Sequence, residues 1–530
     1  MGESLVDGQL IQDWRPKHNP WLVAMVVALA AFMEVLDTSI CNVALPHISG
    51  SLGASQDQGT WVLTTYLVAN AIVLPITGWI SSAVGRKRFF LICIVLFAAS
   101  SLLCGIAPTL PMLLFARALQ GAGGGGMQPM AQAIMADSFP PKQRGSAFAL
   151  FAVTTLIAPA LGPILGGWIT DNYSWRWIFW INLPVSLLAL VMVYKLVEDP
   201  PFLRRFKPGE LRFDYIGFSL LTVGVSALQI FLDKGQEDDW FGSRFITTLV
   251  ITSLVCLTGL VIWEWRQKQP IVDVKLFKMI NFASANVMMF MAGAIVFSAT
   301  VLMPLFLQTL IGYTAQQAGL VVSAGAGVMM ITMPIVGILT GRVPAKYLII
   351  LGWIMSAFGL LFTTRLLSLD ISFGTAATIM MMQFGPLGLV FVPAITVAYI
   401  GVPKDKSDAV SGLTNFTRNI GSSVGISLVQ TIMARRMQFH LTRLGDHLSP
   451  GSPGMAMSIQ SISSHAHGVS AQGAQTAGFA MIYMSLQRQA AAMSYMDLYV
   501  VLGAGAAAMF FLSFLLKSND PRHTEVQVGH

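Results

Sequence analysis

The chain has 530 residues, of which 55% are apolar and only 11% are charged, and its mean hydropathy is +0.67. Water-soluble domains usually have a negative mean hydropathy, so this composition excludes a soluble globular protein. A membrane-spanning helix needs about 20 mostly apolar residues, and such stretches recur along the whole chain. They are continuously apolar, whereas the strands of a membrane β-barrel alternate apolar and polar residues. The sequence therefore predicts an all-α polytopic membrane protein.

The cysteines and the basic residues indicate neither a metal site nor a nucleic-acid partner. The four cysteines are scattered through apolar stretches, without the paired spacing of metal ligands or of a disulfide framework. The net charge of +7 and the pI of about 9.2 come from Lys and Arg that lie mainly in predicted loops. That distribution is typical of a membrane-orientation signal, not of a nucleic-acid-binding patch.

Hydropathy predicts fourteen spans between residues 22 and 516. An even number of spans places both termini on one side of the membrane. Most of the 32 Lys and Arg would lie on that side, which the positive-inside rule identifies as the cytoplasm. Residues 1–21 are polar and lack the apolar core and cleavage site of a signal peptide. We therefore expect the first span to remain in the protein.

A repeated loop suggests that the spans form two sets of six. The loop after the second span begins at Gly78 and ends at Lys87, and the loop after the tenth begins at Gly337 and ends at Lys346. Internal repeats are common in transporters, although short Gly-and-basic loops also recur by chance. The predicted segments are a cytoplasmic tail at 1–21, a six-helix bundle at 22–197, a linker with two extra spans at 198–281, a second six-helix bundle at 282–516 and a cytoplasmic tail at 517–530.

The second bundle contains a long polar segment, 435–493, which must lie outside the cytoplasm. Its first part, 435–448, is compatible with a helix that continues the thirteenth span. The Ser-Pro-Gly-Ser-Pro-Gly sequence at 449–454 would end that helix.

Two acidic residues, Glu34 and Asp37, lie well inside a predicted span. An ionised side chain at the bilayer centre costs about 2.5 to 3.5 kcal/mol on insertion scales, so both carboxylates should face a cavity. Their i, i+3 spacing places them on one helix face. Burial and mutual repulsion favour the protonated form of a carboxyl group, as proton loading and release require. The alternative is that one of them only pairs with Arg117 or Arg418, the two basic residues deep in spans.

The fifth span contains Gly162, Pro163, Gly166 and Gly167. This pattern removes side-chain bulk and one backbone donor, which favours close helix packing and a local kink. The alternative interpretation is a plain small-residue packing motif without a role in transport.

Several polar or flexible side chains inside the spans are candidates for a substrate pocket. Methionine is abundant, with 29 residues, and its flexible side chain suits a pocket that accepts many apolar shapes. Most methionines should nevertheless face lipid or fill helix packing, and Arg418 is as compatible with a structural anchor as with a functional role. The candidates are Asn42, Gln120, Gln128, Met288, Gln383, Asn415 and Arg418.

An enzyme and an ATP-driven pump are both disfavoured. A membrane-embedded enzyme would need a His pair or an Asp-rich metal motif near an interface, but His440, His447, His465 and His467 lie in the long polar segment. No Gly-Lys-Ser/Thr nucleotide loop is present in the sequence. A channel is also disfavoured, because two halves with a carboxylate in the first span are typical of alternating access.

Several stretches together resemble the fourteen-span drug:proton antiporter branch of the major facilitator superfamily, the EmrB-like transporters. The resemblance extends from about residue 21 to residue 516 and is specific as a set. The family loop after the second span usually carries an Asp where this chain has Ser82, and the second copy has Gly341, which leaves open whether the latch attributed to that Asp operates here. The stretches are 36–46 (LDTSICNVALP), 117–123 (RALQGAG), 162–167 (GPILGG), 175–184 (WRWIFWINLP) and 415–421 (NFTRNIG).

The resemblance implies the major facilitator fold, with two six-helix bundles, two inserted linker helices and fourteen transmembrane helices in all. It implies proton-coupled antiport by alternating access, driven by the proton gradient without a cofactor. Asp37 occupies the family's motif position, and Arg117 would take part in proton handling with Glu34. The residues implied in conformational change are Gly78, Gly85, Arg86, Gly162, Pro163, Gly166 and Gly167.

The implied substrates are lipophilic drugs or toxic compounds, and the implied location is the cell inner membrane, in contact with its lipids. EmrB-like transporters work with a membrane-fusion adaptor and an outer-membrane channel, which implies a docking surface in 435–493. The run at 487–492 is a candidate for an adaptor-facing helix, and a passive cap over the pocket is the alternative. The alternative substrate is an endogenous metabolite such as a siderophore or an amino acid.

Overall fold

The computed structural model describes residues 5–6, 9–10, 16–200, 213–446 and 471–517. Within these ranges the chain is almost entirely α-helical, apart from one antiparallel pairing of Leu5–Val6 with Gln9–Leu10. The α-helices are α1 (Pro20–Ser51), α2 (Gln56–Val84), α3 (Arg86–Ile106), α4 (Leu110–Gly124), α5 (Met127–Ser138), α6 (Pro141–Asn172), α7 (Trp177–Trp180), α8 (Asn182–Leu196), α9 (Tyr215–Lys234), α10 (Arg244–Arg266), α11 (Ile280–Phe306), α12 (Ala315–Thr340), α13 (Ala345–Leu366), α14 (Phe373–Phe384), α15 (Gly388–Ala398), α16 (Ser407–Asp446) and α17 (Ala471–Leu512).

Twelve helical segments in the described ranges are long and apolar enough to cross a membrane. Two further predicted spans fall outside that set for opposite reasons. The fourth is divided into α4 and α5 at Gly125 and Gly126, so each part is too short alone. The thirteenth, α16, is long enough but rich in Ser, Asn and Arg. With both included, the predicted count of fourteen transmembrane helices is confirmed, and the two exceptions carry Arg117 and Arg418.

Local signals explain where the repeated helices begin. Ser55 caps α2 by accepting from the backbone N–H of Gln58, whose side chain accepts from the N–H of Ser55. Thr314 and Gln317 form the same capping box at the start of α12. Such a box satisfies backbone donors that a helix start leaves unpaired. The second and tenth spans therefore begin alike, in addition to ending in similar loops.

Helix packing follows the same repeat. The pairs α1–α6, α2–α4 and α3–α4 in the first half correspond to α11–α16, α12–α14 and α13–α14 in the second. The largest contacts between the halves are those of α6 with α12 and of α2 with α16, and α5 with α16 and α6 with α15 also join them. The inserted helices α9 and α10 pack on each other, and α9 also contacts α2 and α16. The exact bounds of the predicted domains stay predictions.

We call the side of the membrane on which α1 begins the inner side, and the opposite side the outer side. On the outer side, α16 continues as a helix through Asp446. The predicted extension of the thirteenth span is therefore confirmed up to this residue. With 40 residues it is about 60 Å long, twice the hydrocarbon thickness of about 30 Å. The last helix, α17, begins far before the predicted fourteenth span, already at Ala471. The predicted helix break at 449–454 lies outside the described residues.

Candidate functional site

Asp37 and Arg117 form an ion pair in the interior of the first half. Arg117 Nη1 on α4 donates to Asp37 Oδ2 on α1 at 2.6 Å, and the two side chains are 0% and 1% exposed. A charge buried this deeply is tolerated only when it is paired and hydrogen-bonded. The predicted proton-coupling residues Asp37 and Arg117 are thus direct partners, and Asp37 is enclosed by protein instead of facing an open cavity.

Amide side chains complete the coordination of the Asp37 carboxylate. Gln120 Nε2 donates to Asp37 Oδ1 at 2.9 Å, and Asn182 Nδ2 donates to the same oxygen at 2.6 Å. Both amides also donate to the hydroxyl of Ser101 on α3. Gln120, predicted to line the substrate pocket, belongs to this buried network. Sequence reasoning missed Asn182, although it lies in the 175–184 stretch that carries the family resemblance.

Glu34 lies one helical turn from Asp37 and has a different set of partners. Tyr66 Oη and Asn70 Nδ2, both on α2, donate to Glu34 Oε1 at 3.3 and 3.0 Å. Gln128 Nε2 on α5 donates to the other carboxylate oxygen. Glu34 is 5% exposed. Among the described residues no cation lies within ion-pair distance of Glu34, so neutral donors hold its carboxylate.

Arg418 approaches this carboxylate from the second half of the protein. Its Nη2 donates to Gln128 Oε1 at 2.5 Å, so Gln128 bridges Glu34 and Arg418. In the part of the chain that the structure describes, Arg418 forms no ion pair, and its side chain is only partly buried. A guanidinium with spare donors at the junction of two halves can bind an additional acceptor.

Amide pairs extend the contact between the halves. Asn419 Nδ2 donates to Asn70 Oδ1 at 3.2 Å, and Asn415 Nδ2 donates to Gln132 Oε1 at 2.8 Å. Of the predicted pocket residues, the structure brings together Gln128, Asn415 and Arg418. Sequence reasoning missed Asn70, Gln132 and Asn419. Each is an amide inside a predicted span, and this feature could have identified them.

Three other pocket candidates lie apart from this cluster. Asn42 is exposed on α1, toward the outer side. Met288 is 0% exposed inside the second half, and Gln383 is buried there and donates to the Thr363 hydroxyl at 3.0 Å. Met288 and Gln383 therefore fill helix packing in this conformation.

The Gly-Pro motif of α6 packs against α1 of its own half. A side chain at Gly162 would overlap Ser39, and one at Gly166 would lie 3.2 Å from the Ile40 carbonyl oxygen, whereas Gly167 has nothing within 4 Å. The helix assignment continues through the motif from Pro141 to Asn172. The family resemblance implied a role in conformational change for this motif, and the close approach seen here lies within the first half.

The repeated motif from Gly78 to Lys87, which spans the last turns of α2 and the start of α3, does reach the opposite half. A side chain at Gly78 would lie 2.9 Å from the backbone of Ala409 on α16, so only glycine fits this approach. Gly85 has φ +98°, a conformation that favours glycine, and it ends α2. Arg86 is 1% exposed and binds two carboxylates, Asp137 and Asp408.

No cluster of three or more metal-binding side chains occurs among the described residues. The polar interior described above consists of carboxylates, guanidinium groups, amides and hydroxyls, which lie within the first half and at the junction of the two halves. Such a constellation in a fourteen-helix bundle with an internal repeat is that of a membrane transporter.

Comparisons with known proteins agree with this class. The sequence profile of the Major Facilitator Superfamily matches residues 27–426. The chain is 38% identical over 446 residues to the multidrug export protein EmrB of Escherichia coli K12, covering 84% of this chain and 86% of that protein. It is also 38% identical over 431 residues to the fatty acid resistance protein FarB of Neisseria gonorrhoeae, covering 81% and 84%.

Solved structures show the same fold at low identity. The human organic anion transporter MFSD10 gives a TM-score of 0.59 at 13% identity and covers 94% of this chain and 100% of that chain. The proton:xylose symporter XylE gives 0.59 at 13% identity and covers 95% and 97%. The chain belongs to the major facilitator superfamily, in its EmrB-like branch, and it is a transporter and not an enzyme.

Proposed function

We propose that this protein is a proton-coupled antiporter that exports lipophilic compounds by alternating access. The observation that carries the proposal is the buried Asp37–Arg117 ion pair, which lies one helical turn from a second buried carboxylate, Glu34. Relatives with 38% identity are named as a multidrug export protein and a fatty acid resistance protein, which supports export of apolar compounds.

Protonation of Asp37 would couple proton binding to movement. It removes the negative charge that Arg117 pairs with at 2.6 Å, and an unpaired buried cation is costly. The guanidinium would then keep only neutral acceptors, Gln120 Oε1 and the Val62 carbonyl oxygen. Because neither acceptor carries a negative charge, the network would rearrange. Helices α1, α2 and α4 carry these groups, so a change of protonation favours a change of helix packing.

The substrate site would lie where Glu34, Gln128 and Arg418 meet at the junction of the halves. Arg418 belongs to the second half and has N–H donors that are not used in its bond to Gln128. It can therefore bind an acceptor group of the substrate next to Glu34. Amide groups from both halves surround this position, and helix movement would change their distances. An apolar compound with one acidic group fits this combination best.

We further propose that the protein lies in a cell inner membrane with both termini in the cytoplasm. The aromatic side chains of Trp168, Tyr173 and Trp177 are half exposed near the outer end of α6, as expected for a membrane interface. The outer side would then face the periplasm of a Gram-negative envelope.

The outer extensions of α16 and α17 are the proposed docking surface for a membrane-fusion adaptor, which would pass substrate to an outer-membrane channel. The exposed apolar side chains on the early part of α17 support this: Phe479, Met481, Tyr483 and Met484. In the 487–492 run the alanines are buried, at 0% to 6% exposure. The adaptor would therefore contact the turns before this run.

Transport into proteoliposomes with an imposed pH gradient tests the proposed function. Uptake of a lipophilic dye against its gradient, with proton release from the lumen, is the expected result. Uptake that is unaffected by the pH gradient and the membrane potential would contradict proton coupling.

Deletion of 451–473 tests the docking surface separately. Loss of whole-cell resistance with intact transport in proteoliposomes is expected if the outer extensions bind an adaptor. Equal loss in both assays would mean that the segment serves the transport cycle itself, and the adaptor proposal would be dropped.

A further inference from the structure

The outer extension of α16 carries a row of exposed side chains along one face. Successive members are three, four, seven and eight residues from the first, which is the spacing of a single helix face. All five line one shallow concavity of about 420 Å³. We call this surface the outer α16 face, and its residues are Arg435, Gln438, Phe439, Thr442 and Arg443.

Two guanidinium groups on the outer α16 face have no counter-charge. Asp497 of α17 binds Arg436 and His440, which point from α16 toward α17. Within the part of the chain that the structure describes, the guanidinium groups of Arg435 and Arg443 form neither an ion pair nor a hydrogen bond. Both therefore keep their N–H donors for an acceptor from outside the protein.

An aromatic ring lies between these donors. The guanidinium carbons of Arg436 and Arg443 lie 4.7 and 4.9 Å from the ring centroid of Phe439. The Phe439 side chain is nevertheless 41% exposed. A cation over an exposed ring is held by about 0.5–1 kcal/mol, which positions Arg443 without using its N–H donors. The face thus combines positioned donors for an anion with apolar surface that remains accessible.

The height of this face above the membrane indicates where its ligand comes from. From Ser407 to Arg435 a helix extends about 42 Å, which matches the thickness of a bilayer with its headgroups, about 40–45 Å. Arg443 lies about 12 Å further out. With Ser407 at the inner surface of the membrane, a lipid headgroup reaches Arg435 but not Arg443. A ligand that contacts both residues has therefore left the bilayer.

We propose that the outer α16 face is an exit site for exported organic acids that carry an apolar tail. The carboxylate of the compound binds Arg435 and Arg443, and its tail covers the exposed part of Phe439. Arg418, at the junction of the halves, lies about 25 Å deeper on the same helix. Unpaired guanidinium groups on α16 thus mark a route from the junction to the outer side.

The exposure of this site suits release of the compound. Ion pairs in contact with solvent contribute about 1 kcal/mol or less each, so an acid held here dissociates readily. The inference names the substrate class of the proposed exporter and rests on that function. The adaptor contact proposed on the early turns of α17 involves other residues and leaves the outer α16 face accessible.

Chemical modification of arginine by phenylglyoxal tests the site in the full-length protein. The purified protein is placed in phosphatidylcholine nanodiscs, and mass spectrometry measures the reaction at each arginine. Saturating decanoate should slow the reaction of Arg435 and Arg443 at least about fivefold, equivalent to about 1 kcal/mol. Decanol, which has the same chain without the charge, should have no effect. Exposed Arg365 at the outer end of α13 is the internal control and should react equally in all samples.

Replacement of Phe439 tests the contact with the tail. Phe439→Ala removes apolar surface that the tail would cover, so the decanoate concentration for half protection should rise at least about fivefold. Phe373→Ala, at an exposed position at the outer start of α14, is the matched control and should leave it unchanged. Thermal unfolding of both variants checks that the helices remain packed.

Three outcomes would overturn the proposal. Without protection by decanoate there is no such site, and equal protection by inorganic phosphate would mean that the face binds any anion. Protection by phosphatidylglycerol in the nanodisc, without decanoate, would assign the face to a lipid headgroup. Failure of the proposed function is distinguishable from these, because it would appear as loss of proton-coupled transport in proteoliposomes while decanoate still protects Arg435 and Arg443.

Discussion

Tyr66 contacts both Glu34 and Arg117, the ion-pair partner of Asp37. Its ring centroid is 4.3 Å from the guanidinium carbon of Arg117, which binds Asp37, and its hydroxyl donates to Glu34 at 3.3 Å. It is 1% exposed. A single aromatic side chain therefore connects the ion-paired carboxylate with the one held by neutral donors.

Asp37→Asn should abolish proton-coupled efflux while the protein stays folded. The amide keeps the shape and one acceptor oxygen for Arg117 but cannot titrate. Loss of one partner from a buried ion pair costs about 3–5 kcal/mol. The free energy of unfolding of Asp37→Asn should fall by less than this. Substrate-driven proton release by purified protein in vesicles is the measurement, and it should disappear.

Two companion variants complete this test. Asp171→Asn, at an exposed position near the outer end of α6, should behave as wild type. Glu34→Gln should have a weaker effect than Asp37→Asn, because no cation is within ion-pair distance of Glu34 in the described structure. Proton-coupled accumulation retained by Asp37→Asn would remove Asp37 from the mechanism.

Replacements of Tyr66 should separate its ring from its hydroxyl. Tyr66→Phe keeps the ring beside Arg117 and loses the bond to Glu34, so stability should fall by about 1–2 kcal/mol or less while coupling is reduced. Tyr66→Leu also loses the cation–π contact, worth about 2 kcal/mol when desolvated. Thermal unfolding with paired transport assays checks both effects. Equal stability of the Leu and Phe variants would show that the ring contact with Arg117 contributes nothing.

The charged residues of the interior were easy to identify from the sequence, whereas the residues that contact them were difficult to identify. Glu34, Asp37 and Arg117 stand out because charge inside an apolar run is costly. Tyr66 and Asn182 do not, since an aromatic or an amide in a span is compatible with many positions. The face of each helix that meets its neighbour depends on tertiary packing, which is why Met288 was grouped with a pocket and lies in helix packing instead.

Asp408 was missed for a different reason. It lies at the start of the thirteenth span, in the first turn of α16, where an acidic residue resembles an ordinary loop charge. The sequence comparison considered the latch only at Ser82, where the family usually carries an Asp. It therefore did not look for a carboxylate on another helix. The structure places a carboxylate beside Arg86 all the same, but from α16 of the opposite half.

Asp497→Asn should loosen the outer extensions without affecting the membrane region. Asp497 on α17 binds Arg436 Nε and His440 Nε2 of α16, each at 2.6 Å. Loss of this carboxylate leaves the two basic side chains without their shared acceptor. We expect cleavage by trypsin at the exposed Arg435 or Arg443 to become a few times faster, with nearly unchanged thermal unfolding. Asp446→Asn, at the exposed end of α16, is the control, and equal cleavage of both variants would contradict a clamp by Asp497.

Gly162→Val should uncouple exchange more than it weakens substrate binding. The new side chain would overlap Ser39 on α1, and overpacking of a tight interface costs about 1–3 kcal/mol. Displacement of α1 shifts Glu34 and Asp37 relative to their partners on α2 and α4, whereas the groups of α16 stay in place. Dye affinity should therefore remain near that of the wild type, while the number of protons released per dye molecule falls.

Gly167→Ala is the matched control for this prediction, because a side chain at Gly167 meets nothing within 4 Å. It keeps the same helix and nearly the same depth, and it should leave both affinity and coupling unchanged. A Gly162→Val protein that lost dye affinity but kept tight coupling would show that the motif lines the substrate pocket. Its close packing on α1 would then be incidental to proton coupling, and the role of the glycine would have to be assigned to substrate contact.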